Sequence, residues 1–211
     1  MYESDREELV EILKERGIKS QSVLKAFLSV ERHKFVSDAM IMHAYEDSAL
    51  PIGYGQTISQ PYTVAFMTEA LNVRSGQSVL EIGTGSGYQA AILCAMGINV
   101  FSIERNEKLY NTTRKLLETL GYDVFTKLGD GTKGWESYAP YDGIIVTAGA
   151  PAVPNKLKDQ LKIGGILVIP TGTQKSQTMQ IIKKISEDRF EYIETPNFSF
   201  VPLIGKDGWK K

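Results

Sequence analysis

The 211 residues are 42% hydrophobic and 23% charged, with 24 basic side chains against 25 acidic ones and a net charge of −1. That balance leaves no electrostatic footprint for gripping a nucleic-acid backbone, and a single cysteine, Cys94, excludes an internal disulfide. The acidic start "MYESDREELV" lacks the apolar core of a secretory signal, and no run approaches the ~18 apolar residues of a membrane span, so the expectation is a soluble, cytoplasmic protein with no membrane partner.

In "SDREELVEILKERG", Leu9, Ile12 and Leu13 share a helical face, with Ser4 or Asp5 to cap the start and Gly17 the end. "SQSVLKAFLSV" groups Val23, Leu24, Phe27 and Leu28 on a second, shorter helix. From Tyr45 to Pro61 no clean period survives, and Pro51, Gly53 and Gly55 predict a loop. A helix resumes in "YTVAFMTEALNV". After Gly76 strand-like and helix-like runs alternate: "QSVLEIG", "YQAAILCAMG", "NVFSIE", "NEKLYNTTRKLLETLG", "DVFTKLGD", "YDGIIVTAG", then a helix "VPNKLKDQLKIGG" and a strand "ILVIP". The tail "TMQIIKKIS" and "FEYIETPNF" reads as a closing antiparallel hairpin. The class is therefore α/β: a doubly wound, Rossmann-like sheet, mostly parallel, with helices on both faces. We expect one domain, with residues 1–75 a helical extension and cover loop and residues 76–211 the core.

In such sheets the ligand binds beyond the carboxyl ends of the strands, so "LEIGTGSGYQA" is where chemistry should gather. Gly83, Gly85 and Gly87 allow sharp turns and close approach of a ligand. A dinucleotide fingerprint needs a further glycine where Tyr88 stands, and the Gly-Lys-Ser/Thr phosphate loop is absent. Acidic residues follow three successive strands: Glu81 at the first, Glu104 placed for ribose hydroxyls, and Asp130 placed for an adenine amino group. Three carboxylates repel phosphates and favour a cation, which points to S-adenosyl-L-methionine. Each of them, taken singly, is equally compatible with a solvated acid.

"GYGQTISQP" can fold over that pocket, with Thr57 and Ser59 offering hydroxyls; a cap on the next helix is the simpler role for either. No Gly-x-Ser-x-Gly surrounds Ser59, and His33 and His43 have no acid partner in view, so a serine hydrolase is not indicated. One Cys and two isolated His give no metal site. Both histidines, and Cys94 on the apolar face of its helix, read as structural.

From "VERHKFV" onward the sequence resembles the protein-L-isoaspartate O-methyltransferase family in its form without a C-terminal extension. The likeness rests on "PIGYGQTISQP", "VLEIGTGSGY", "GDGTKGW", "PYDGIIVTAGAP", "LKIGGILVIPTG" and "FVPLIGKDGW". It implies methyl esterification of the α-carboxylate of L-isoaspartyl residues, with S-adenosyl-L-methionine giving S-adenosyl-L-homocysteine, and repair through a succinimide. It places the active-site serine on Ser59 and cofactor contacts on Gln56, Thr57, Ile58, Ser59, Glu81, Glu104, Asp130 and Gly131. It puts Val201, in "FVPL", beside the peptide, with Ser59 also a substrate contact. Val64 stands where some relatives have a cofactor-side histidine. The implied partners are isoaspartyl proteins and peptides, with no nucleic acid and no obligate protein partner. The acceptor is already ionised at neutral pH, so no general base is required, and Ser59 is expected to orient it. The rivals are a methyltransferase of this fold acting on a small molecule or nucleic acid, a nicotinamide-dependent oxidoreductase, and a non-catalytic sensor of damaged protein.

Overall fold

Two periodicities build the molecule, 3.6 before residue 76 and largely 2 after it. The computed structural model describes residues 2–210. Helices α1 (Glu3–Glu15) and α2 (Gln21–Ser29) come first, then a two-stranded antiparallel ribbon of β1 (Leu50–Gly53) and β2 (Gln56–Ile58), and α3 (Pro61–Leu71). The core follows as β3 (Ser78–Ile82), α4 (Tyr88–Ala95), β4 (Asn99–Glu104), α5 (Glu107–Thr119), β5 (Val124–Leu128) and β6 (Tyr141–Val146). It ends with α6 (Asn155–Asp159), β7 (Leu161–Gly172), β8 (Gln177–Ser186) and β9 (Arg189–Phe198).

Strands β3 to β9 form one sheet in the order β5-β4-β3-β6-β7-β8-β9. β5 through β7 run parallel, and β8 and β9 close the sheet as antiparallel partners. The chain winds one way from β3 to β5 and the other way from β6, so the carboxyl ends of β3 and β6 part at a switch point. Crevices for ligands open there.

One face of the sheet (Val79, Val100, Ile145, Val168) packs on α3 and α4, and the other (Leu80, Ile103, Ile144, Leu167) on the opposite layer. Leu9, Leu13, Val23 and Phe27 of the first two helices are buried with Tyr88, Ala91 and Ile92 of α4. Each such side chain contributes about 1.5–3 kcal/mol on leaving water, and their cluster runs across the boundary at residue 75.

Three expectations need correction. The segment between Tyr45 and Pro61 contains a hairpin: Leu50 pairs with Ile58 and Pro51 with Thr57. Its turn holds Gly53, Tyr54 and Gly55 at φ of 87°, 54° and 69°, the left-handed backbone that tight hairpins demand. Ser4 and Asp5 do not cap α1; Tyr2 occupies that position without a side-chain bond, whereas Gly17 ends the helix at φ 99°. Finally, α6 stops at Asp159. Leu161 already pairs with Tyr141, and the register then slips so that Gly143 faces Ile166. At Gly165 a Cβ would sit 3.0 Å from the Asp142 carbonyl oxygen, so the two glycines of "KIGG" form a bulge inside a strand.

Candidate active site

β3 ends in Ile82, and the chain turns at Gly83, Gly85 and Gly87, all at positive φ, before α4 begins. A Cβ on Gly83 would lie 2.6 Å from Thr147 Oγ1, which donates to the Ile82 and Gly83 carbonyls (3.0 and 2.7 Å) and so ties the ends of β3 and β6 together. Gly85 N–H donates to Glu104 Oε2 (2.9 Å), its carbonyl accepts from Thr113 Oγ1 (2.6 Å), and Asn106 N–H donates to Glu104 Oε1 (2.7 Å). The glycine loop is thereby fixed to the tip of β4 and to α5.

A cavity of about 390 Å³ opens beyond these strand ends. Its walls include Gln56, Thr57 and Ile58 from the ribbon and Ser59 just after it, Glu81, Gly83 and Gly85 from β3 and its loop, Glu104, Gly131 and Val201. Val64 lines it as well. Gly87 and Asp130 do not: Gly87 caps the start of α4, with its Cβ position 2.8 Å from Thr113 Cγ2.

The electrostatics differ from the expectation of three carboxylates around one pocket. Glu81 is fully buried opposite Ser102 of β4, whose hydroxyl donates to Oε2 (2.5 Å); Thr84 Oγ1 lies 2.6 Å from the same hydroxyl. Burial pushes its carboxyl up to about 8, against the lowering effect of Ser102 and with a further push from Glu104, so at neutral pH it is largely protonated. Its other oxygen, Oε1, is buried without a partner among the described residues. The Asp130 carboxylate turns towards the C-terminal segment: Oδ1 accepts from Thr132 N–H and Oγ1 (3.0 and 2.7 Å), and Oδ2 from Lys206 N–H (2.8 Å). Burial opposes its ionisation, yet these donors hold it below the usual carboxylate range. Asp130 thus presents Gly131 to the cavity and ties "GDGT" to "IGKDG". A Cβ on Gly131 would overlap Ile82 Cγ2.

A second cavity, about 520 Å³, lies on the far side of the ribbon and shares Thr57, Ser59, Thr147 and Val201 with the first. Arg16, Asp47, Tyr62 and the stretch from Thr195 to Phe200 are among its other walls. Val201 is anchored here, its carbonyl accepting from Gly149 N–H (2.8 Å), while Leu203 N–H returns a bond to the Gly149 carbonyl (2.8 Å).

Neither Ser59 nor Thr57 caps α3. Gln60 stands at the cap without a side-chain bond, Pro61 opens the helix, and Asp47 Oδ1 accepts from Tyr62 N–H (2.8 Å). The residue that sequence reasoning missed is Arg32. Fully buried, it donates from Nε to the Ala44 carbonyl (2.8 Å) and from Nη2 to those of Ser48 and Ser59 (3.3 and 3.0 Å). An arginine in "VERHKFV" carries no periodic signal, and only its three-dimensional partners reveal it. His33 bonds Tyr45 Oη (2.7 Å), His43 meets Glu46 (2.8 Å), and Cys94 is partly buried with its thiol pushed up to about 12, chiefly by burial. Among the described residues no three metal-ligating side chains converge, and no helix is long and apolar enough to cross a membrane.

The protein-L-isoaspartate(D-aspartate) O-methyltransferase family matches residues 4–208. The chain belongs to this family. Relatives named protein-L-isoaspartate O-methyltransferase are 51% identical in Cytophaga hutchinsonii and 54% identical in Dictyoglomus thermophilum, each over 99% of this chain and 95% of the relative. A solved protein-L-isoaspartate O-methyltransferase superposes with a TM-score of 0.88 at 32% identity, over 96% of this chain and 67% of its own length. A second, from Plasmodium falciparum in complex with S-adenosyl-L-homocysteine, superposes at 0.80 with 26% identity, covering 93% of this chain and 97% of that one. Family membership explains why "GDGT" and "FVPLIGKDGW" occur together in this sequence: Asp130 joins them.

Proposed function

We propose that the chain methylates the α-carboxylate of L-isoaspartyl residues in damaged proteins and peptides, using S-adenosyl-L-methionine, and so starts their return through a succinimide. The observation that carries this reading is the junction of two cavities at Ser59, one walled by the glycine loop and one by Asp47, Tyr62 and the stretch from Thr195 to Phe200. Belonging to a family of this activity supports it, as does the S-adenosyl-L-homocysteine bound by the Plasmodium relative.

The residues present suit that cofactor. A volume of about 390 Å³ falls within the ~300–1,000 Å³ of small-molecule sites. The buried, unpartnered Oε1 of Glu81 offers an acceptor to an ammonium group, which would draw the carboxyl towards ionisation. Glu104, fixed by two backbone donors, keeps lone pairs for vicinal hydroxyls. Gly131 lines the cavity, packed so closely on Ile82 that a Cβ would not fit, and Gln56, Thr57 and Ile58 form the cover. When bound, the cofactor supplies a methyl group activated by a sulfonium.

The chain's own contribution is orientation and dryness. The acceptor is ionised at neutral pH, so no base has to take a proton, and Ser59 donates a hydrogen bond that aims the carboxylate through the shared wall. Holding such a group in line supplies most of the advantage over the free reaction. Val201, with its carbonyl already engaged by Gly149, meets the peptide through its N–H and isopropyl group. Selection of isoaspartate follows from geometry, because the extra backbone methylene brings a free carboxylate where aspartate has an amide. Transfer of labelled methyl to an isoaspartyl peptide, with the aspartyl isomer as control, tests the reading; equal labelling of both, or of neither, rejects it. A melting shift with S-adenosyl-L-homocysteine but not with NAD tests the cofactor.

A further inference from the structure

The Arg32 guanidinium is the largest fully buried charged group in the described chain, and the proposed reaction gives it nothing to do. Burying an unpaired cation is costly, and a fold keeps one only where several acceptors surround it. Those acceptors are the Ala44, Ser48 and Ser59 carbonyls. All three flank the β1–β2 ribbon, two before it and one directly after it. The guanidinium also lies over the Tyr88 ring, 4.8 Å from its centre. Tyr88 is the first residue of α4, adjacent to Gly87 at the end of the glycine loop.

One planar group thus spans the ribbon's two ends and the floor beneath the cofactor cavity. The next carbonyl, that of Gln60, accepts the first bond of α3, from Val64 N–H (3.1 Å). The Gln60 side chain is held by the Asp47 carbonyl (2.9 Å) and carboxylate (3.1 Å). Ser59 therefore has its carbonyl fixed by Arg32 and its successor fixed by Asp47, which sets the backbone from which its hydroxyl projects. Lysine would not serve equally: three carbonyls at these angles need the donors of a rigid fork. Burial lowers the guanidinium's proton affinity, partly offset by Tyr88 and Asp47, and the group remains cationic.

We infer that Arg32 is a positioning residue for methyl transfer: it sets the height of Ser59 above the glycine-loop floor and acts on the acceptor only through that serine. The inference rests on the proposed function, since it assigns Ser59 the acceptor.

The test is a double-mutant cycle on the full chain, reading kcat and KM for an isoaspartyl peptide, Kd for S-adenosyl-L-homocysteine, and melting temperature. Arg32→Met is expected to lower kcat about 10- to 100-fold, the scale of a misplacement near 1 Å, with Kd changed less than about 3-fold. In a Ser59→Ala background the same change should cost under about 2-fold, because the group it positions is gone. Arg32→Lys, which keeps the charge and reaches fewer carbonyls, should fall between wild type and Arg32→Met. Equal fold-losses in both backgrounds would show that Arg32 serves the fold alone and overturn the inference. Should Arg32→Met not fold, the cycle with Arg32→Lys decides by the same criterion. A wild-type chain inactive on the peptide would sink the functional reading and this inference with it; an active one whose losses multiply would sink only the role of Arg32.

Discussion

Replacing Glu81 by glutamine should abolish a pH dependence of stability that the wild-type chain carries without cofactor. The folded carboxyl titrates at about 8, against 4.5 for an ordinary one, because the folded state buries it beside Ser102. Between those values the folded chain holds a proton that the unfolded chain has lost. Stability therefore falls as pH rises, by about 1.4 kcal/mol per unit. The contribution is fully present below 4.5 and lost by 8, so between pH 5 and 7.5 it amounts to about 3 kcal/mol. Glu81→Gln retains the shape and an oxygen for Ser102 but cannot ionise. Denaturant unfolding of both proteins at half-unit steps from pH 5 to 8.5 isolates the difference, since every other titrating group is shared. The two curves should run together near pH 5 and separate as pH rises, the wild type falling below Glu81→Gln with that slope. Parallel curves would refute the account of Glu81 as a buried acid. Saturating S-adenosyl-L-homocysteine, whose ammonium can meet Oε1, should flatten the wild-type slope.

Ser59→Ala should reduce kcat on isoaspartyl peptides by at least about 10-fold while calorimetric affinity for S-adenosyl-L-homocysteine stays within a few-fold; unchanged turnover would remove Ser59 from the mechanism. Gly87→Ala places a Cβ at φ 87° and 2.8 Å from Thr113 Cγ2. It should destabilise the chain by about 1–3 kcal/mol, visible as a drop of several degrees in melting temperature. Tyr54, at the ribbon's turn, lines the cofactor cavity, with Lys108 Nζ 5.7 Å from its ring centre. A contact of that kind is worth about 0.5–1 kcal/mol at an exposed position, so Tyr54→Ala should speed release of S-adenosyl-L-homocysteine about 2- to 5-fold in stopped-flow displacement.

The sheet was legible because burial on both faces forces continuous apolar runs, as in "VLEI" and "GIIV", and Gly97 and Gly121 end their helices where the pattern breaks. The ribbon was not, because three- and four-residue strands carry too few side chains for alternation to register, and its turn glycines resemble those of any loop. The short α6 was hidden for the opposite reason: "NKLKDQLK" fits a helical period, and pairing with β6 overrides it. At the site, spacing located Glu81 and Glu104 on the cavity wall but did not give the ionisation of Glu81. That Glu81 holds a proton and that Asp130 faces Lys206 follow from burial and from donors far away in sequence. Arg32 left no trace at all, since one arginine among "ERHK" looks solvated until its three carbonyl partners are seen.

The shared wall of the two cavities, closed by Thr57, Ser59, Thr147 and Val201, also decides which clients can be served. On the proposed function, donor and client enter by separate doors, so a client of any size needs to hand over only a slack length of backbone that spans the outer chamber. Damage in a flexible loop meets that demand at once. Damage locked into a helix or a sheet ladder must wait for its own element to fray, and for those clients the pace of mending is set by their opening equilibrium rather than by this enzyme's turnover.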